Sequence, residues 1–127
     1  MTQSILLNIT VCAMLAGVFL PVIPTQSASA ENIACNCVFY ARSLVPSLPR
    51  GLTTLQDKKK IINSYSPSKG SVAIIPNGDQ YGHVAVVTDV SPDGKTITIK
   101  EGNWNRCKIN IRKGTPQSLK VLGYFKP

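Results

Sequence analysis

The chain has 127 residues, enough for one domain, and 43% of them are hydrophobic, which is too many for simple disorder. Lys and Arg number 14 against 6 Asp and Glu, a net charge of +8, and none of these charged residues lies in residues 1–30. An apolar leader therefore precedes a basic body, and the length and lack of periodicity exclude a multidomain enzyme, a long coiled coil and a repeat array.

The leader runs almost wholly apolar from Ile5 to Pro24 and ends on Ala28-Ser29-Ala30. That pattern predicts a secretory signal peptide over residues 1–30, with the folded domain over 31–127. The alternative is a retained membrane anchor, since about 20 apolar residues span a bilayer. Pro21, Pro24 and the Ala-x-Ala ending favour cleavage, and the residues before Cys35 make a poor lipid-attachment site. Cys12 leaves with the leader, so the exported chain keeps Cys35, Cys37 and Cys107. Three thiols in an oxidising compartment leave one over. Cys35 and Cys37 are too close to bridge comfortably, so the economical arrangement is a Cys35–Cys107 disulfide with Cys37 free.

In the body, Asn36 can cap a helix starting at Cys37, and Pro46 stops it. Cys37, Tyr40, Ala41 and Leu44 recur at helical spacing and predict its apolar stripe. Thr53 or Thr54 can cap a second helix through Leu55 and Lys58–Ile62. The Lys58-Lys59-Lys60 run on it reads as a solvated helix face or as charge turned to an anionic partner. From Ser71 the period becomes two, and strands are expected over Ser71–Pro76, His83–Val90, Lys95–Glu101, Lys108–Arg112 and Lys120–Phe125. Ser91-Pro92-Asp93-Gly94 is a strong hairpin signal. Helices first and an antiparallel sheet after make an α+β fold.

Three positions can carry chemistry. A cysteine at a helix N-terminus is biased toward thiolate and becomes a usable nucleophile, although Cys37 could equally be a small core residue or a disulfide partner. His83 is the sole histidine. It heads an apolar strand after Gly82, and it is the natural general base if one works near neutral pH. Glu101 and Asn103, two apart at the end of the next strand, can converge on one site. The hairpin brings that end beside His83, where a carboxylate can orient an imidazole and an amide can support it.

Four segments, in order, resemble the CHAP family, the cysteine, histidine-dependent amidohydrolases/peptidases. They are Cys37-Val38-Phe39-Tyr40-Ala41-Arg42, Pro67-Ser68-Lys69-Gly70-Ser71-Val72-Ala73, Gly82-His83-Val84-Ala85-Val86-Val87 and Ile99-Lys100-Glu101-Gly102-Asn103-Trp104. The resemblance implies a papain-like cysteine hydrolase fold, with N-terminal helices on a five- to six-stranded antiparallel sheet. It implies Cys37 as nucleophile, His83 as base, Glu101 as the histidine's orienter and Asn103 as a supporting group. Tyr40, Tyr81 and Trp104 are the expected substrate-binding residues. The implied reaction is amide cleavage in peptidoglycan, at the muramoyl–L-alanine bond or within its peptides, by a monomeric exported enzyme. No metal or other cofactor is expected, because the cysteines and the histidine already have roles. Neither a nucleic-acid partner nor stable membrane insertion after leader cleavage is expected. A non-catalytic secreted module that docks cell-wall polymer or a protein is the alternative.

Overall fold

Local signals account for where the two helices begin. In the computed structural model, which describes residues 33–127 together with Gly17 and Pro21, helix α1 spans Cys37–Leu44. Asn36 is extended, and its side-chain oxygen accepts from the amides of Val38 (3.0 Å) and Phe39 (3.1 Å). The helix closes at Val45, whose backbone is pushed out of the helical region as the residue before Pro46. Helix α2, Leu55–Lys60, opens on a reciprocal pair. Thr54 Oγ1 accepts from the Asp57 amide, and the Asp57 carboxylate accepts from the Thr54 amide. The expected leader and Cys12 lie outside the described residues. Among the described residues no helix is long and apolar enough to cross a membrane.

Five antiparallel strands follow: β1 (Val72–Ile75), β2 (His83–Val90), β3 (Ile97–Gly102), β4 (Ile109–Gly114) and β5 (Gly123–Phe125). They form one sheet in the order β4-β3-β2-β1-β5, so the chain returns across the molecule to place its last strand against its first. The β2–β3 hairpin turns at Ser91–Gly94, where the Gly94 amide donates to the Ser91 carbonyl at 2.8 Å. This is the expected α+β architecture.

Both faces of the sheet are packed. Val72, Ile74, Val84 and Val86 meet Val38, Ala41 and Val45 of the α1 region, with Leu48 and Leu52 closing the layer. On the other face Ala73, Ile75, Ala85, Val87, Ile97 and Ile99 pack with Leu119 and Tyr124. Every side chain of β1 is buried for that reason. The buried side of α1 is Val38, Tyr40 and Ala41, while Leu44 is exposed. The stripe is thus rotated from the expected one, because Cys37 turns toward an open cleft and Tyr40 toward β3. In β4 the alternation is inverted relative to a simple apolar-in strand: Ile109 and Ile111 face outward, and Asn110 and Arg112 turn inward.

Candidate active site

Cys37 is the first residue of α1 and is half-buried. It is the free cysteine among the described residues, because Cys35 and Cys107, 72 positions apart, form a disulfide. The bridge ties the segment just before α1 to the loop after β3. His83 opens β2 directly after Gly82, whose φ is +65°. A side chain there would be strained, and its Cβ would stand 2.7 Å from Leu55 Cδ1, so glycine is required for the strand to start against α2. Asp79 accepts from the amides of Tyr81 (2.7 Å) and Gly82 (3.1 Å) and so sets the approach to His83.

The β2–β3 hairpin brings His83 to Glu101 as expected, with His83 Nε2 3.0 Å from Glu101 Oε2. With that ring nitrogen engaged, Nδ1 is the one left to serve Cys37. Glu101 is fully buried, and a buried carboxylate is tolerable only with its lone pairs occupied. Arg112 donates to it twice, from Nε at 2.6 Å and Nη2 at 3.0 Å, and Asn110 donates at 3.3 Å. Trp104 packs against this network, with Arg112 over its ring face and the His83 ring tilted beside it. The Arg112 guanidinium carbon is 3.8 Å from its ring centroid, and the His83 ring is 5.0 Å away.

Electrostatics follow from these contacts. Burial pushes the Cys37 thiol up, but the hydrogen bond and charge of His83, the Val84 amide and the Lys58 ammonium bring it below its ordinary value. Burial pushes His83 down, and its bonds and Coulombic attraction to Cys37 and Glu101 outweigh that and raise it. Glu101 is raised by burial, then brought below the usual carboxylate value by His83 and Arg112. The arrangement favours a thiolate–imidazolium pair backed by an ionised carboxylate.

Cys37 and His83 share a cleft of about 550 Å3 with Arg50, Thr53, Tyr81 and Asn103 among its walls. Asn103 has left the β3 alternation, with φ +60°, and is exposed at the cleft edge instead of sharing the buried face of Glu101. Tyr81 is exposed on the wall. Tyr40 is buried with its ring root close to Gly102 and does not line the cleft, because α1 turns that position into the core. Trp104 borders a second cavity of about 520 Å3, shared with Arg112, Lys120 and Asn77. Arg112, Asn110 and Lys58 are contributors that sequence reasoning missed. The polar pair Asn110 and Arg112, alternating with Ile109 and Ile111, carried a signal for the first two, but not which side faced in.

The chain is similar to known proteins in fold and in sequence pattern. A crystal structure of Ly7917 matches with TM-score 0.50 and 15% identity, over 77% of this chain and 60% of that one. Another, "with the hydrolyzing product of MDP", matches with TM-score 0.43 and 24% identity, over 52% and 30%. The chain thus spans less than two thirds of the length of these structures. No curated protein matches it significantly. The CHAP domain pattern matches residues 28–103, more than half of the chain and the whole stretch from Cys37 through His83 to Glu101. The protein belongs to the CHAP domain family.

Proposed function

We propose that the protein is an exported cysteine hydrolase that cleaves amide bonds of peptidoglycan, as an N-acetylmuramoyl-L-alanine amidase or a peptide endopeptidase. The observation that carries this reading is one cleft lined by both a free helix-terminal thiol and an imidazole held from behind by a buried carboxylate. Membership of the CHAP family supports the substrate class. The net charge of +8 suits an anionic wall, with an attraction that weakens as salt rises. The disulfide suits an oxidising compartment, and residues 1–30 would be the export signal.

In this mechanism the Cys37 thiolate adds to the scissile carbonyl carbon. The oxyanion is met at the start of α1. Asn36 already occupies the amides of Val38 and Phe39, which leaves the Cys37 amide as the donor of the first turn. The His83 imidazolium gives its proton to the leaving amine, the C–N bond breaks and a thioester remains. Neutral His83 then takes a proton from water as that water attacks the thioester. Release of the carboxylic acid returns the thiolate and the imidazolium. Glu101 holds the ring in orientation and stabilises its charged form throughout.

Digestion of purified peptidoglycan, with mass spectrometry of the products, tests the proposal. The parent protein should release fragments, and Cys37→Ala and His83→Ala should each slow release by about a thousandfold or more while melting cooperatively. Release at the parent rate by both variants would refute the assignment of Cys37 and His83, and no release by the parent would leave the non-catalytic docking module as the better reading. Product masses distinguish the amidase from the endopeptidase.

A further inference from the structure

The lysine run on α2 conceals one residue unlike its neighbours. Lys59 and Lys60 are exposed, but Lys58 is 2% exposed, and its ammonium points under the cleft that holds Cys37. Its Nζ donates to three backbone carbonyls: Leu52 at 3.0 Å, Thr53 at 3.1 Å and Tyr81 at 2.7 Å. Three acceptors use all three protons of an ammonium, whereas a neutral amine has only two, and these bonds hold the charged form against burial, which pulls the Lys58 pKa below its ordinary value. Its hydrogen bonds go to carbonyl dipoles, which leave the charge in place to be felt across a low-dielectric site, and the carboxylates that attract it are Asp57 beside it on α2 and Asp79 before β2.

The carbonyls belong to opposite walls. Leu52 and Thr53 end the loop between the helices, and Tyr81 lies in the loop that leads through Gly82 to His83. The same α2 turn is fastened there by the Leu55 amide, which donates to the Gln80 carbonyl at 2.9 Å. We infer that Lys58 is a positioning residue: its buried ammonium ties the two cleft walls together and keeps a fixed positive charge beside the Cys37 nucleophile. This rests on the reading of Cys37 and His83 as the reacting pair. The charge acts in the same sense as His83, toward thiolate. The other charged groups facing the cleft are Arg42 on α1, Arg50 in the loop after it and Asp79 before β2. Arg42 is tied to the Leu48 and Pro49 carbonyls.

The test is the pH profile of alkylation of the oxidised protein by iodoacetamide, with the label mapped to Cys37 by peptide mass. Lys58→Gln should move the profile upward, so that labelling on its acid side is about three- to tenfold slower than in the parent. Lys59→Gln should superimpose on the parent. Lys58→Arg, which keeps the charge, should stay close to the parent and serves if the glutamine variant does not fold. A Lys58→Gln profile that superimposes on the parent overturns the inference, whatever happens to its melting temperature. So does a Lys58→Arg profile shifted upward three- to tenfold. Failure of the parent itself to label at Cys37 would instead refute the Cys37–His83 reading, so the two failures are distinct.

Discussion

Replacing Arg112 with Met tests whether the carboxylate behind His83 depends on the cation beside it. The substitution keeps much of the side-chain volume and removes two charge-assisted bonds to a fully buried Glu101. Removing one partner of a buried ion pair costs about 3–5 kcal/mol. Arg112 retains 22% exposure and Glu101 keeps His83 and Asn110, so the loss should fall nearer about 2–3 kcal/mol. For a domain of this size that lowers the melting temperature by about 10–20 °C near neutral pH. The sign of the pH dependence is set by Glu101, whose carboxyl titrates below its ordinary value in the folded chain. A depressed carboxylate contributes stability above its unfolded pKa of 4.5, and that contribution fades as the pH falls through the folded value. The gap between parent and Arg112→Met should therefore be widest near neutral pH and narrow in acid. Thermal unfolding followed by circular dichroism at about pH 7 and about pH 3 measures both gaps. Adding Glu101→Gln to Arg112→Met should cost less than the sum of the two single changes. Equal gaps at the two pH values, or strict additivity, would refute the clamp.

Two other outcomes follow from the same site. Peptidoglycan cleavage should be bell-shaped in pH: it rises as the Cys37 thiol ionises below its ordinary 9.0, and falls as His83 loses its proton above its ordinary 6.5. A rate still climbing at the pH of an ordinary thiol would count against the pair. Reduction of the Cys35–Cys107 bridge frees a loop of 72 positions, worth about 4 kcal/mol in the chain-entropy model. The melting temperature in dithiothreitol should drop by more than about 10 °C, and an unchanged one would show that the bridge contributes little.

What the sequence determined by itself is what short-range chemistry decides. The Asn36 cap, the stop at Pro46, a cap at Thr53 or Thr54 and the Ser91–Gly94 turn each depend on residues within a few positions. They placed Cys37 at a helix start and His83 and Glu101 on facing strands, and parity among three cysteines pointed to the bridge that forms. The tertiary structure decided whatever depends on what arrives from far along the chain. Lys58 reads as one charge in a solvated run until Leu52, Thr53 and Tyr81 present their carbonyls to it. Which side of their strand Asn110 and Arg112 take stays open until β4 pairs with β3 and the buried carboxylate demands donors. Tyr40 sits at a spacing that fits cleft or core equally, and the close approach to Gly102 settles it as core. Propensity and capping are properties of a chain segment, whereas the burial of a charge is settled only by the groups that fold around it.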